Sequence, residues 1–442
     1  MRDVERSGAA VWVWPGVAGA VALVAAVLLA GMRPGDGSAL SRLAWPGDSA
    51  AAATMLQAIS AASISVITLT FSLTVVALQL ASQQFSPRLL RDFVRDPWTK
   101  VVLAVLVATF VFSLAVLRQL RQDAPPPATA MLVAFVLGVA SMAAVLGYIS
   151  HLTRLLRVDT MMLTVHGESV RAIETFYPTR EDREPLRPDA LAVQWAAGTT
   201  VAATRSGFVR LLDVPALVRA AREHDALVRI DVRPGDNVVL GSPVATVCGG
   251  RPDGPQRDEL ARRVREAVVL DYERTIEQDA AFGFRQLTDI AVKALSPAVN
   301  DPVTAVHCLG HAADLLVRLA DRRLGASVHV DDDGAPRAVV PDRDLRYYLD
   351  LVCGPVRRYG AREPAVLTAL LRMLRDVAAA AREPRQQEEV ERQVRLVLAA
   401  VPAQTLEEDS APVRDLAARV RAAAAGDVHA AYDDRAGETR SI

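Results

Sequence analysis

Four long apolar segments in the first third of the chain constrain its fold more than any other feature. Apart from Lys100 near the start of the third, none of the four contains an aspartate, glutamate, lysine, arginine or histidine. Each is long enough to cross a hydrocarbon core of about 30 Å as an α-helix. We therefore predict a four-helix transmembrane bundle within residues 1–150. The segments cover residues 11–31, 56–81, 98–117 and 129–149.

The composition indicates a soluble part after these segments. The 442-residue chain has a net charge of −1 and 23% charged residues, together with a positive mean hydropathy of +0.20. Nucleic acid is excluded as the main partner, because nucleic-acid binding needs a basic surface. The three cysteines form no Cys-x-x-Cys pair, so we expect buried thiols and neither disulfides nor a zinc site.

The connector between the second and third segments is predicted to lie along the membrane interface. It carries four basic residues, whereas the two loops on the opposite side carry two each. By the positive-inside rule, the amino and carboxyl termini are both expected in the cytoplasm. The arginines form one face of an amphipathic helix, and a tryptophan stands where an interfacial aromatic residue belongs. These interface residues are Arg88, Arg91, Arg95 and Trp98.

The second segment carries an unusual number of hydroxyl groups, arranged in two helical stripes. One stripe contains Ser60, Ser63, Thr70 and Thr74, and the other contains Ser65, Thr68, Ser72 and Gln79. Two polar stripes predict a helix surrounded by protein, including copies of itself. Two interpretations stay open: the hydroxyls bond their own backbone and allow tight packing, or they line a pore. The candidate pore-lining residues are Ser60, Ser63, Thr70, Thr74, Gln79 and Gln83.

The remainder of the chain is predicted to contain one small β-rich module among helices. The turn at residues 233–236 and the glycine pattern after it resemble the barrel-sandwich modules of biotinyl and lipoyl domains. Residues 190–252 contain no lysine, so only the fold is expected and no prosthetic group. The expected fold is mainly α: a four-helix transmembrane bundle, a cytoplasmic β-barrel-like insert and a helical domain. The predicted parts are 1–150 (membrane), 151–189 (helical stalk and linker), 190–252 (β-rich module), 253–425 (helical domain) and 426–442 (disordered tail).

Residues 279–305 form the most distinctive motif of the soluble part. A helix is predicted to end near Ser296, and Asp301 followed by Pro302 is a typical start for the next helix. Capping explains most of these residues. The alternative is a polar site for an ion or small ligand at the helix amino terminus. The candidate ligand-binding residues are Ser296, Asn300, Asp301 and Thr304.

A polar stripe follows on the next helix, and a hairpin is predicted after it. His307, His311, Asp314 and Arg318 share one helix face, which we interpret as a solvent or interface stripe with an Asp314–Arg318 ion pair. No third metal ligand is identifiable, so no metal site is assigned. The hairpin covers residues 327–340, with its turn at residues 331–334.

The motif at 279–305 and the sequence of residues 70–88 together resemble the bacterial membrane-protein family listed as domain of unknown function 2254. The resemblance covers most of the chain. It implies a location in the inner membrane, with a cytoplasmic domain. It implies no established activity, so no catalytic residue is carried over from it.

Two functions remain as hypotheses. No P-loop, G-x-S-x-G or H-E-x-x-H motif occurs, so we expect no enzyme, no catalytic residue and no cofactor. The leading hypothesis is a homo-oligomeric channel or pore-like protein with a cytoplasmic regulatory domain. The alternative is a non-conducting, membrane-anchored sensor or scaffold that binds a ligand or protein partner. The expected partners are the lipid bilayer, further copies of the chain, and an ion or small ligand.

Overall fold

The computed structural model describes residues 2–31, 48–84, 96–121, 125–155, 157–179, 191, 195, 198–249 and 254–433. Most of this part is helical. The chain divides into two compact units, residues 1–161 and 162–442. Each unit has a core of its own, and each is described separately below.

The described part of the first unit contains four helices: α1 (Arg2–Gly31), α2 (Ser49–Gln84), α3 (Pro97–Gln119) and α4 (Ala128–Leu155). Helix α3 packs against the other three. Its first turn is fixed by Asp96, whose carboxylate accepts a hydrogen bond from the Thr99 backbone N–H at 2.9 Å, and Pro97 occupies the first helical position. Asp96 and Pro97 therefore form the same kind of helix start that the sequence predicts at Asp301 and Pro302.

Two clusters of buried side chains hold the first unit together. One lies around Leu56, Phe112 and Met131, and the other lies around Leu106 and Tyr148. Alanines allow close approach between helices, because a small side chain leaves room for the neighbouring backbone. Ala22 and Ala26 of α1 are buried in this way.

Five helical stretches in the described part are long and apolar enough to cross a membrane: Val13–Gly31, Ser49–Gln79, Pro97–Gln119, Ala128–Arg154 and Pro302–Ala320. The first four coincide with the predicted segments. The helices extend beyond the apolar segments and therefore include further ionisable groups near their ends. Helix α3 includes Lys100 and Arg118 near its ends, and α4 continues past the fourth apolar segment to include His151.

The described part of the second unit contains helices and two sheets, and one of these sheets includes a hairpin. Its helices are α5 (Val158–Phe176), α6 (Val214–Glu223), α7 (Gly254–Ala267), α8 (Ala280–Ala294), α9 (Pro302–Ala320), α10 (Leu345–Tyr359), α11 (Pro364–Ala380), α12 (Pro384–Ala400), α13 (Glu407–Ala424) and α14 (Val428–Tyr432). Its strands are β1 (Thr199–Ala202), β2 (Gly207–Leu212), β3 (Ala226–Ile230), β4 (Asn237–Val238), β5 (Pro243–Gly249), β6 (Val268–Asp271), β7 (Ser327–Val330) and β8 (Pro336–Val340).

The described strands form two open sheets and no closed barrel, which corrects the expected barrel-like insert. The strand orders are β1-β5-β3-β8-β7 and β4-β2-β6. The first sheet does not close on itself because the outer side of β3 pairs, in parallel, with β8 about a hundred residues later, Val228 opposite Ala338. The predicted hairpin at residues 327–340 is confirmed as β7 and β8.

The turn that suggested the barrel forms as its sequence predicts. Gly235 has a positive φ of 86°, and the Asp236 N–H donates to the Arg233 carbonyl at 3.0 Å. A type II turn requires this conformation at its third position, and glycine adopts it without steric cost. The predicted turn at residues 233–236 is therefore confirmed, although the sheets around it are open and do not form the expected barrel.

Candidate functional site

The structure separates the two polar stripes of α2. Ser60, Ser63 and Thr70 are buried in the helix bundle of a single chain, with relative exposures of 7%, 5% and 2%. The Thr74 hydroxyl donates to the Thr70 carbonyl at 2.7 Å and shares a hydrogen bond with the Tyr148 hydroxyl. This stripe faces the neighbouring helices of its own chain.

The second stripe of α2 lies on the outside of the bundle. Ser65, Thr68, Ser72 and Gln79 are all exposed in the single chain. The Ser65 hydroxyl donates to the Ala61 carbonyl and the Thr68 hydroxyl to the Ile64 carbonyl, each at 3.0 Å. The sequence indicated two stripes but did not show which one faces outward. Gln83 lies in α2, and its side chain is outside the described set.

A cavity of about 470 Å³ adjoins the buried stripe in the first unit. Its walls are mainly apolar residues of α2 and α4, with Ser63 and Ser141 as polar exceptions. The Ser141 hydroxyl is bonded to the Thr109 hydroxyl at 2.7 Å. A space of this character accepts apolar groups, because it offers few polar contacts.

The sequence analysis did not identify a partly buried pair of an acid and an imidazole in the first unit. Asp96 is 7% exposed, and its second carboxylate oxygen lies 2.9 Å from His151 Nε2. The predicted interface residue Trp98 is half-exposed, and its ring centroid lies 6.0 Å from that of His151. The usable signal was Asp96 as a helix cap, but nothing in the sequence pointed to His151 as its partner. The predicted interface residues Arg88, Arg91 and Arg95 lie outside the described residues.

The predicted ligand-binding residues in the second unit are brought together by one tight helix–turn–helix connection. The Asp301 carboxylate caps α9, accepting from the Thr304 N–H at 3.1 Å and the Thr304 hydroxyl at 2.6 Å. These hydrogen bonds lower the pKa of Asp301. The Ser296 hydroxyl donates to the Lys293 carbonyl at 2.7 Å, and Asn300 adopts a φ of +50°. Capping therefore uses three of the four side chains, and ligand binding stays a prediction.

A buried network of charges in the second unit was also missed. Asp279, the first residue of the distinctive motif, is 1% exposed. Its carboxylate lies 2.6 Å from Arg274 Nε and 3.4 Å from Arg343 Nη1. Arg343 also donates to the Pro234 carbonyl at 2.9 Å. Buried charges are costly unless they are paired and hydrogen-bonded, and the groups of this network satisfy one another. The network links the 233–236 turn to the starts of α8 and α10, and we call it the clasp.

Next to this clasp lies a carboxyl group with a strongly shifted pKa. Burial raises the pKa of Asp342 to about 6, although the adjacent Arg343 backbone N–H opposes the shift through a hydrogen bond. That bond is 2.7 Å long. Loss of hydration disfavours the charged form of any buried carboxyl group. Asp342 is therefore a group that titrates near neutral pH within the folded chain.

The polar stripe of α9 forms an interface with α5. His166 Nε2 lies 2.8 Å from the Asp314 carboxylate, and Arg318 reaches Glu174 at 3.2 Å. The expected Asp314–Arg318 ion pair is confirmed at 2.8 Å. Across the described residues, no group of three or more histidine, cysteine or acidic side chains has the geometry to hold a metal ion.

The several helices that are long and apolar enough to cross a membrane define the class of this chain as a multi-pass membrane protein. The comparison with protein families agrees. The chain belongs to the family described as "Predicted membrane protein (DUF2254)", whose model matches residues 9–376. The family resemblance drawn from the two sequence motifs is thereby confirmed.

Three relatives are similar over nearly the whole chain. An uncharacterized protein of Mycobacterium bovis and one of Mycobacterium tuberculosis strain H37Rv are each 36% identical over 424 residues, covering 93% of this chain and 80% of the relative. An uncharacterized protein of Mycobacterium tuberculosis strain CDC 1551 is 35% identical over the same coverage. No solved structure matches the chain significantly.

Proposed function

We propose that this chain forms a homo-oligomeric channel or pore-like protein of the bacterial inner membrane, with its second unit as a cytoplasmic regulatory unit. The observation that carries the proposal is the outward stripe of α2, formed by Ser65, Thr68, Ser72 and Gln79. In a single copy this stripe faces lipid. In a ring of copies it faces a common axis.

Gln79 provides the energetic argument for association. Its side chain is exposed on the outer surface of α2, at the last residue of the apolar stretch Ser49–Gln79. At hydrocarbon depth, an amide without a hydrogen-bond partner costs roughly 2–7 kcal/mol. Placing copies of α2 around an axis moves this amide into a polar path. The proposed pore is therefore lined by the outer stripe of α2 and not by the inner stripe, which packs the bundle. Gln79 belongs both to the predicted pore-lining residues and to this outer stripe.

The proposal also assigns a topology. The first four apolar helices cross the membrane, and both termini lie in the cytoplasm, as the basic connector favours. The fifth apolar stretch, Pro302–Ala320, belongs to the soluble unit, because its Asp314 and Arg318 form ion pairs with side chains of α5. In this proposal the chain is not an enzyme and requires no cofactor.

The second candidate function is a non-conducting sensor or scaffold anchored by the same four helices. It is favoured by the hydroxyls of Ser65 and Thr68, which donate to carbonyls of their own helix. A hydroxyl satisfied in this way can face lipid at low cost. The outer stripe would then be only a packing or lipid-facing surface.

Flux measurements on variants with one introduced cysteine separate the two functions, because the native Cys308 and Cys353 are buried. Purified protein in liposomes, with native Cys248 replaced by serine, is tested for passage of ions and small solutes. Under the channel proposal, Thr68→Cys renders the flux sensitive to a charged thiol reagent and allows cross-linking between copies. Thr70→Cys is the matched control on the buried stripe, and it should show neither effect. An intact protein that passes no ion or solute under any gradient supports the sensor or scaffold.

A further inference from the structure

A second cavity of about 470 Å³ lies in the second unit, where the residues after β1 come close to α7 and β6. This volume is within the range of sites for small molecules. The cavity wall carries several charged side chains, and three of its lining residues are arginines. The lining residues include Thr204, Arg205, Arg262, Arg265, Glu266 and Val268.

One of the three arginines is neutralised by its own helix. Arg262 forms ion pairs with Glu259 at 2.6 Å and with Glu266. Hydrogen bonds from Arg262 and Arg263 lower the pKa of Glu259 to about 2. Glu266, the acidic residue of the cavity wall, is therefore already engaged. This pair adds no net charge to the cavity.

The other two arginines leave positive charge at the cavity wall. The Arg205 guanidinium donates to the Leu270 carbonyl, an uncharged acceptor that orients the side chain without neutralising it. Arg265, in the last turn of α7, is half-buried. Within the described part of the chain, its guanidinium group has no hydrogen bond or ion pair. The exposed Thr204 hydroxyl stands beside Arg205 in the same wall.

We propose that this cavity binds the phosphate group of a small molecule about the size of a mononucleotide, with Arg205 and Arg265 as the phosphate ligands. Guanidinium groups bind phosphate through paired, charge-assisted hydrogen bonds. The rest of the wall includes Ala203, Val244 and Val268, which offer apolar contact to the remainder of such a ligand. The proposed phosphate site lies within the second unit and is independent of whether the first unit conducts.

Isothermal titration calorimetry on the full-length protein in detergent tests the site, with AMP, inorganic phosphate and adenosine as probes. AMP is expected to bind, inorganic phosphate to compete with it, and adenosine to bind at least tenfold more weakly. Arg265→Gln and Arg205→Gln are each expected to weaken AMP binding at least tenfold, as loss of a charge-assisted hydrogen bond predicts. Arg265→Lys, which keeps the charge, should retain part of the affinity.

Arg257→Gln is the matched control, because Arg257 is exposed on the same helix and does not line the cavity. It removes the same charge and should change AMP affinity less than twofold. The same titration is repeated with dioctanoyl phosphatidate as the probe. If this lipid binds in a manner that depends on Arg265, and AMP does not bind, the cavity is a phosphate site for a lipid headgroup. Thermal melting verifies that each variant is folded. The proposal is overturned if folded wild-type protein binds none of the phosphate probes, or if Arg257→Gln weakens binding as much as Arg265→Gln.

Discussion

The Asp96 carboxylate bridges the start of α3 to His151 near the end of α4. One oxygen accepts from the Thr99 N–H at 2.9 Å and from the Thr99 hydroxyl at 2.8 Å. The other lies 2.9 Å from His151 Nε2. A single buried side chain therefore caps one helix of the membrane unit and connects it to another.

Removal of this carboxylate should destabilise the first unit more than removal of an ordinary cap. Asp96→Ala is expected to cost about 2–3 kcal/mol, since it removes a helix cap and a partly buried polar contact to His151. The control is Asp48→Ala, because Asp48 caps α2 through a 2.8 Å bond from the Ala51 N–H but is exposed. The control should cost only about 1 kcal/mol. Denaturant unfolding in detergent measures both, and equal costs would show that the His151 contact contributes nothing.

Gly235 is expected to be intolerant of any side chain, for two reasons that can be separated. Its φ is +86°, and a Cβ added there would lie 2.0 Å from Asp279 Oδ2 and 2.7 Å from Arg274 Nε. Gly241 has nearly the same φ, +83°, but a Cβ there meets no atom within 4 Å. Gly241→Ala should therefore show backbone strain alone, about 1 kcal/mol.

Gly235→Ala should cost about 3 kcal/mol or more, because the methyl group also displaces the buried Asp279–Arg274 pair. Chemical unfolding of the two variants gives the comparison. Hydrogen exchange near the amino terminus of α8 should increase only in Gly235→Ala. If the two alanine variants unfold at the same denaturant concentration, the clasp around Asp279 is not a rigid part of the fold.

Local features of this structure were predictable from the sequence. The apolar helices follow from length and hydropathy, and the caps at Asp96 and Asp301 follow from an acidic residue placed just before proline. Helix ends were less exact: α2 begins at Ser49, earlier than its apolar segment, because the alanines at 50–53 continue the helix. Alanine favours the helical state without contributing a strong hydropathy signal.

Features that join distant parts of the chain were not predictable. The pairing of Val228 with Ala338 converts an expected barrel into an open sheet, and no local pattern specifies the partner of a strand edge. The Asp279–Arg343 contact spans 64 residues, and the Asp96–His151 contact spans 55. The periodicity of α2 revealed two polar stripes, but the choice of the buried one depends on packing against α3 and α4.

Asp342 should make the stability of the second unit depend on pH. Its pKa is about 6 in the folded chain, against an ordinary value of 3.8. The folded state therefore holds the proton more tightly than the unfolded state does. The stability gained from this tighter proton binding is fully present below about pH 4, and it is lost as the pH rises through 6.

Asp342→Asn removes the charge at every pH, so the variant should be more stable than wild type by about 1–3 kcal/mol at pH 8. Below pH 4 the two proteins should be nearly equal in stability. Denaturant unfolding of the full chain at pH 4, 6 and 8 measures the difference. A variant that is less stable than wild type at pH 8 would indicate that the carboxylate, in its charged form, is a favourable partner of the adjacent arginines.

The hydrogen bond between Thr74 and Tyr148 should be the main polar contact between α2 and α4 in this part of the bundle. Tyr148 is 1% exposed, and its hydroxyl shares a hydrogen bond with the Thr74 hydroxyl, which also donates to the Thr70 carbonyl. Thr74→Val and Tyr148→Phe keep nearly the same shapes and remove one hydroxyl each. Each is expected to cost about 1 kcal/mol, and the double variant should cost less than the sum of the two.

Thr68→Val is the control for this double-mutant cycle. Thr68 lies on the same helix, but its hydroxyl bonds only the Ile64 carbonyl of that helix, so combining it with Tyr148→Phe should give additive costs. Unfolding in detergent supplies all the free energies. Additive costs for Thr74→Val and Tyr148→Phe would mean that the two hydroxyls are not coupled. In that case the inner stripe of α2 would not hold the bundle together, as it does in the proposed function.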